Sequence, residues 1–466
     1  MTTEGRKTRR AREDALPAGA GGARPLVAVV GRPNVGKSTL FNRLAGRRIA
    51  IVEDIPGVTR DRHYADTDVL GREIVLIDTG GFDPQSEDPM AASIASQVKL
   101  AIEECDICVC VVDGTTDPTP ADREAVALLR RSGKPVLYVA NKADSPKQVT
   151  AAMTYYELGI EELIPVSALH GANIGDLEEK ICAALPKPTG ELEPVAGEEA
   201  PRISIVGRPN AGKSSLVNRW LDEERLLVDD RPGTTVDSID TLLEHEGETL
   251  VLIDTAGMRR QRSVKGGVEG LGVLQSIRAM ERSHCVIMMI DAALGPAEQD
   301  AKILGLAEER GRAVVIGLNK MDLLDEAGRK RAVERTREIL NFVPWAPIVS
   351  LSVKGGRGVE KLLSTAKQAV ANHRKRVTTA ELNRFFEQVL DTHPPPTHAG
   401  KSVRLYYITQ AQVRPPTFVV ISNHPESVHW SYQRYVMNQI RERFGFEGSA
   451  IRVHYRAKNR RDEDRN

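Results

Sequence analysis

The sequence is poor in cysteine, carries no net charge and contains no long apolar run. Five cysteines in 466 residues, a sparse and odd number, fit thiols in a reducing cytosol better than a disulfide framework. No stretch approaches the roughly 18 consecutive apolar residues of a membrane span, so a cytoplasmic protein that does not cross a bilayer is expected. The first 24 residues lack the apolar core of a signal peptide. They mix six basic residues with Glu4, Glu13 and Asp14, followed by Gly, Ala and Pro, the composition of a disordered basic arm. Lysine plus arginine equals aspartate plus glutamate at 64 each, which is uninformative until it is divided by region. From Asn372 onward there are 16 basic against 9 acidic residues, net +7, and residues 1–24 hold 6 against 3, net +3. The middle therefore holds net −10.

Three of the five cysteines cluster at Cys105, Cys108 and Cys110. The Cys-x-x-Cys spacing invites a metal reading, but no second Cys/His pair accompanies it, and the apolar run Ile107 to Asp113 reads as a buried strand with small core residues.

What is present is a long internal repeat. Leu26-Val-Ala-Val-Val-Gly-Arg-Pro-Asn-Val-Gly-Lys-Ser38 recurs as Arg202-Ile-Ser-Ile-Val-Gly-Arg-Pro-Asn-Ala-Gly-Lys-Ser214, an offset of 176. Ile74-Val-Leu-Ile-Asp-Thr-Gly-Gly81 recurs as Leu250-Val-Leu-Ile-Asp-Thr-Ala-Gly257 at the same offset, and Asn141-Lys-Ala-Asp144 as Asn319-Lys-Met-Asp322 at 178. A period this long exceeds any solenoid unit, so each copy is a whole duplicated domain. Apolar runs such as Val27 to Val30, Val75 to Ile77, Val109 to Val112 and Val136 to Val139 alternate with helical patterns. The expected fold class is α/β, two P-loop domains with a mixed, mostly parallel sheet flanked by helices. Residues 25–185 and 202–375 form the two copies, 186–201 a flexible acidic linker rich in Pro, Gly and Glu, 376–458 a smaller basic domain and 459–466 a charged tail.

Gly31-Arg32-Pro33-Asn34-Val35-Gly36-Lys37-Ser38 and Gly207-Arg208-Pro209-Asn210-Ala211-Gly212-Lys213-Ser214 each follow a strand and open a helix, the context of a phosphate-binding loop. Glycines let backbone amides turn inward at phosphate oxygens, at the positive end of the helix dipole. Lys37 and Lys213 add a point charge, and Ser38 and Ser214 a hydroxyl for Mg²⁺, which prefers hard oxygens. Asp78-Thr79-Gly80-Gly81 and Asp254-Thr255-Ala256-Gly257 end the next apolar strands, where the aspartates can reach Mg²⁺ through water and the last glycines can offer an amide to the γ-phosphate. Asn141-Lys142-Ala143-Asp144 and Asn319-Lys320-Met321-Asp322 suit a guanine, because an aspartate accepts from N1–H and N2–H₂ while adenine offers no matching donors. Ser167-Ala168 and Ser352-Val353 are expected to support the base through backbone groups.

Between these motifs lie Pro56-Gly-Val-Thr-Arg-Asp61 and Pro232-Gly-Thr-Thr-Val-Asp237, the switch candidates. Thr59 and Thr235 can give Mg²⁺ a hydroxyl while the γ-phosphate is present, so hydrolysis would release the loop. Phe82 and Met258 stand where a water-orienting glutamine is often found, and neither can hold a water. Slow intrinsic hydrolysis that needs an outside or ionic stabiliser is the expectation.

These motifs, in this order, twice, ahead of a basic C-terminal segment, resemble the EngA (Der) family of tandem Era-like GTPases over about residues 25 to 458. The resemblance implies a GTP hydrolase that assists assembly of the large (50S) ribosomal subunit, and a C-terminal KH-like α+β domain without the usual Gly-x-x-Gly loop. Its implied partners are the 50S subunit or a precursor and its rRNA, with the protein acting as a monomer. It implies that Asn34 and Asn210 help to hold K⁺ near the phosphates, where a cation could replace a missing arginine finger. Val236 stands where the family usually has arginine, which bears only on a switch contact of the second domain, and Val353 where it usually has alanine, which suggests weaker packing there rather than lost binding. From the residues alone, Arg434, Arg441, Arg443, Arg452 and Arg456 interleaved with aromatics suggest contacts to RNA phosphates, whereas a buried amphipathic helix explains Phe444 and Tyr435 equally well.

Two alternative functions are open at this stage. A GTPase serving tRNA modification usually demands a separate catalytic site, and the region from Asn372 has no cysteine and no acid–base cluster beyond His393-Pro-Pro-Pro-Thr-His398, which reads as a rigid loop. A trafficking GTPase should carry a lipidation motif or a basic amphipathic anchor, and no cysteine lies near Asn466.

Overall fold

The computed structural model describes residues 24–46, 64–79, 94–186, 200–223, 240–253, 269–396 and 402–457. Strand β1 (Leu26–Val30) runs through the phosphate-binding loop into α1 (Lys37–Ala45). The hairpin β2 (Tyr64–Val69) and β3 (Arg72–Asp78) follows, then α2 (Ile94–Glu104), β4 (Ile107–Asp113), α3 (Pro120–Arg131) and β5 (Val136–Asn141). Helix α4 (Pro146–Ala152), β6 (Leu163–Pro165) and α5 (Ile174–Ala184) complete the first domain. Its sheet has the order β2-β3-β1-β4-β5-β6, parallel except for β2 against β3.

The same order recurs in the second domain. Its elements are β7 (Arg202–Val206), α6 (Lys213–Glu223), β8 (Thr241–His245), β9 (Glu248–Ile253), α7 (Glu269–Arg282) and β10 (Cys285–Asp291). Then come α8 (Glu298–Glu309), β11 (Ala313–Asn319), α9 (Glu326–Ile339), β12 (Ile348–Ser350) and α10 (Val359–His373). The sheet reads β8-β9-β7-β10-β11-β12. Strands β4 and β10 are buried at every residue, because helices cover both faces of a parallel sheet, and this is why they read as unbroken apolar runs. Cys105, Cys108 and Cys110 lie buried in this core, where burial pushes the Cys108 thiol up to about 11 and raises the other two, so all three are inert packing residues. In both sheets the strand order reverses around the first strand, and this opens a crevice at its carboxyl end, where the phosphate-binding loop sits.

The C-terminal domain packs α11 (Thr379–Thr392) and α12 (Trp430–Phe444) against β13 (Leu405–Val413), β14 (Pro416–Ser422) and β15 (Arg452–Ala457). Strand β13 is antiparallel to β14, and β14 is parallel to β15. Phe444 is buried, edge-on to Phe385, and Tyr435 lies against His393 and Tyr432, so the core-helix reading accounts for both aromatics.

The second domain touches both neighbours. Leu274 and Ile277 of α7 are fully buried in a cluster with Val98 and Ala101 of α2. Arg278 of α7 donates to the carbonyls of Glu103 and Glu104 at the end of α2, both at 3.2 Å, where the helix leaves them without intrahelical donors. Beside them Glu281, almost wholly buried, accepts from Arg24 at 2.7 and 3.1 Å and from Arg310 at 2.7 Å, while Asp66 bridges the same two arginines. Burial pushes the Glu281 carboxyl up, but Arg24, Arg310 and Arg312 outweigh it and hold it at about 2. On the other side, Val314 of β11 donates to the Gly448 carbonyl at 2.8 Å, and His373 contacts Ser449 at 3.1 Å. Burial, helped by nearby arginines, lowers His284 to about 2 and His373 to about 3, so both are neutral in this junction.

Candidate guanine-nucleotide sites

Each phosphate-binding loop is held by its own lysine. Lys37 Nζ donates to the carbonyls of Gly31 and Arg32 at 2.8 and 2.9 Å, and Lys213 Nζ to those of Gly207 and Arg208 at 2.6 and 2.8 Å. Among the described residues no carboxylate pairs with either ammonium. Burial therefore lowers both, Lys213 to about 8 against the opposing pull of Asp300, and Lys37 against that of Asp78. A phosphate arriving at the loop would supply the missing negative charge.

Gly36 and Gly212, with φ of 91° and 100°, precede these lysines. A Cβ on either would lie 2.3 or 2.2 Å from the side-chain nitrogen of Asn141 or Asn319. Those asparagines reach under the loop. Asn141 Nδ2 donates to Val35 at 2.8 Å while its Oδ1 accepts from Ala168 at 2.9 Å, and Asn319 makes the same pair with Ala211 at 2.9 Å and Val353 at 3.0 Å. Each thus ties the phosphate-side loop to the base-side loop, a bracing role that the base-reading expectation did not include. Asp144 and Asp322 stay exposed, free to face a base, and the Ser352 hydroxyl holds Asp322 below the usual carboxylate range. Val353 is buried within the domain core, and its backbone amide donates to Asn319.

Ser38 Oγ donates to Asp78 Oδ2 at 2.6 Å, so two hard oxygens stand together beside the loop, a donor pair that suits Mg²⁺. Thr79 is buried, with its hydroxyl bonded to Val29. Pro33, Asn34, Pro209 and Asn210 are exposed, and the two asparagines have positive φ of 66° and 64°. Ser167 and Ser352 are buried, and their hydroxyls accept from the His170 and Gly355 amides. Thr59, Gly80, Gly81, Phe82, Thr235, Asp254, Thr255, Ala256, Gly257 and Met258 lie outside the described residues, as do the N-terminal arm before Arg24, most of the linker and the final tail.

The structure adds residues that the motif reading passed over. Lys142 and Lys320 extend to Asp113 and Asp291 at 2.7 and 2.6 Å, and these strand-end aspartates also accept the Thr115 and Ala293 amides. Arg43 of α1 holds the Ala168 and Leu169 carbonyls, as Arg219 of α6 holds Val353. The signal was available: Arg43 and Arg219 stand at the repeat offset of 176, and Asp113 and Asp291 at 178.

Two duplicated loops of this geometry, each with its lysine, serine and braced asparagine, define a tandem P-loop GTPase. Residues 26–142 and 202–320 both match a family described as 50S ribosome-binding GTPase, and residues 376–456 match the C-terminal KH-domain-like region of EngA bacterial GTPase enzymes. The chain is 47% identical over 439 residues to GTPase Der of Syntrophotalea carbinolica, covering 94% of this chain and 100% of that one. It is 46% identical over 446 residues to GTPase Der of Desulfitobacterium hafniense, covering 95% and 100%. Among solved structures, Era in complex with MgGDPNP and nucleotides 1506–1542 of 16S ribosomal RNA aligns at 21% identity and a TM-score of 0.30, over 71% of this chain and 92% of that one. The chain belongs to the GTPase Der family, and it is a GTP hydrolase with two GTPase domains followed by a KH-like domain. No helix among the described residues is long and apolar enough to cross a membrane.

Proposed function

We propose that the protein is a nucleotide-dependent switch in assembly of the 50S ribosomal subunit, acting as a cytoplasmic monomer that binds rRNA through its C-terminal domain. The observation that carries this reading is the joining of two phosphate-binding loops of matching geometry to a C-terminal segment, from Asn372 onward, that contains the KH-like domain and carries net +7. The domain limits proposed are 25–185 and 202–375 for the GTPase units, 186–201 for the linker and 376–458 for the KH-like unit.

In this reading the P-loop residues 31–38 and 207–214 cradle the phosphates, and Asp144 and Asp322 select guanine. Ser38, Thr59 and Asp78, with Ser214, Thr235 and Asp254, hold Mg²⁺, the aspartates through water; the ion would offset charge on the transferring phosphoryl group. Lys37 and Lys213 exchange their carbonyl partners for phosphate oxygens. Asn34 and Asn210, exposed on the loops, hold K⁺, and no arginine finger is obvious in the sequence, so intrinsic hydrolysis is slow and faster in KCl than in NaCl. Equal rates in the two salts would reject the K⁺ role.

RNA contact falls to the outer face of α12, where Trp430 is 55% exposed and Arg434, one turn on, is exposed with Arg443. Two of the arginines assigned to RNA from sequence turn inward instead. Arg441 lies over the Trp345 ring and donates to Phe446 and Ser449, and Arg452 donates to the Glu309 carbonyl, so both serve the junction with the second domain. Sedimentation of ribosomal particles with GTP, GDP and a non-hydrolysable analogue tests the proposal. Association with 50S particles or precursors should follow the nucleotide, and association that ignores it would sink the switch.

A further inference from the structure

The second residue of each phosphate-binding loop is an arginine that turns away from the phosphate cradle. Arg32 Nε lies 3.4 Å from Asp122 Oδ2 and its Nη2 donates to Thr116 at 2.7 Å, while Arg208 Nε lies 2.9 Å from Asp300 Oδ2 and its Nη2 donates to the Gly295 carbonyl at 2.6 Å. The backbone carbonyls of these same arginines receive the P-loop lysines. Asp122 and Asp300, in the first turns of α3 and α8, are almost completely buried and belong to none of the nucleotide-binding motifs. We propose that Asp122 and Asp300 are positioning residues of the two nucleotide sites, each fixing its P-loop arginine and, through it, the loop backbone that seats the lysine.

Helix capping alone does not account for these carboxylates. In α3 the cap is reciprocal: Asp122 accepts from the Thr119 amide at 3.0 Å and Thr119 Oγ1 accepts from the Asp122 amide at 3.3 Å. In α8 the capping position is Ala297, which has no hydroxyl, so half of the box is gone. Yet the acid remains at the corresponding place, still accepting from the Ala297 amide at 2.9 Å, and its ion pair with the loop arginine is the shorter of the two. The feature common to both copies is the arginine. Pinning it orders the loop before nucleotide arrives, so the amide cradle forms without an ordering cost at binding. Once nucleotide is seated, the loop is held by the phosphates and the chemical step no longer depends on the aspartate. The signature is a change in KM without a change in kcat.

The proposal rests on the reading that these loops hold the nucleotide phosphates. It is tested in the full-length chain, one site at a time, with Lys37→Ala isolating the second site and Lys213→Ala the first. With GDP and GTP in Mg²⁺ as probes, Asp300→Asn, which keeps an acceptor for the Ala297 amide, should weaken the Kd for GDP and raise the KM for GTP about tenfold, with kcat within about twofold. Arg208→Gln should do the same, and Asp300→Asn with Arg208→Gln should stay near tenfold, because both act through one contact. Asp122→Asn and Arg32→Gln should repeat the pattern at the first site. Unchanged affinity in Asp300→Asn, a double variant equal to the product of the singles, or a fall in kcat at constant KM would each overturn the proposal. If Asp300→Asn does not fold, Arg208→Gln, which leaves the helix cap intact, decides alone, and unaltered affinity rejects the role. Nucleotide binding at the second site that survives Lys213→Ala would instead remove the site assignment itself.

Discussion

The two GTPase domains of this chain agree where they would meet nucleotide and differ where they meet their neighbours. The lysine seats, the asparagine braces, the strand-end aspartates and the loop-holding arginines recur in both copies, from Lys37, Asn141, Asp113 and Arg43 to Lys213, Asn319, Asp291 and Arg219. At the domain junctions the likeness ends. The second domain carries Glu281, Arg310 and Arg312 toward the first and His284 and His373 toward the third, so it is the hub of the molecule. Duplication has preserved the geometry of the site contacts, while the surface of one copy has become a double junction.

The comparison can be broken most sharply at the lysines. Lys37→Ala and Lys213→Ala should each weaken GDP binding at their own site about a thousandfold and leave the other site filled. Nucleotide stoichiometry falling from two to one in each variant would verify this, and two sites persisting in either variant would remove that copy from the working pair.

The junctions should prove unequal next. Glu281→Gln leaves Arg24, Arg310 and Arg312 around a neutral group and should destabilise the contact between the first and second domains by about 3 kcal/mol. A thermal transition of the first domain should then separate from that of the rest. The same substitution should leave the junction with the KH-like domain unaffected.

Acid should distinguish the junctions with a smaller effect. His284 and His373 titrate near 6.5 when unfolded but at about 2 and 3 in the native junction, so their contribution is complete above pH 6.5 and falls as pH drops below it. By pH 5 the loss is about 2 kcal/mol for each histidine. Glu281 moves from an ordinary 4.5 to about 2, so its contribution is complete above pH 4.5 and declines only below that. Hydrogen exchange across pH 7 to 4 should therefore show the amides of Val314 and Ser449 losing protection before those of β2. The reverse order would overturn the assignment of His284 and His373 to the acid-sensitive junction.

Much of the fold could be read directly. Runs such as Ile107–Asp113 are apolar at every position because helices cover both faces of the sheet, and the 176-residue offset alone doubles whatever is inferred for one copy. The residues proposed to bind phosphate were equally legible as candidates, since a glycine-rich turn, a lysine and a hydroxyl lie within eight consecutive residues. The braces were not. Asn141 and Val35 are 106 positions apart, Arg43 and Ala168 are 125 apart, and Arg24 and Glu281 are 257 apart. Arg441 and Arg452 were misread toward RNA for a related reason, because a charge count records an arginine without recording which face of the domain is docked.

The sequence by itself determined two nucleotide sites, their preference for guanine and a basic C-terminal segment, because local spacing suffices when a backbone loop and the helix after it do the recognising. Tertiary structure decided the rest. It chose the asparagine that sits beneath each loop, the aspartate that pins each loop arginine, and the second domain as the hub between the other two. These depend on side chains brought together by strand order and domain docking, and their energies come from burial and pairing that no stretch of sequence contains.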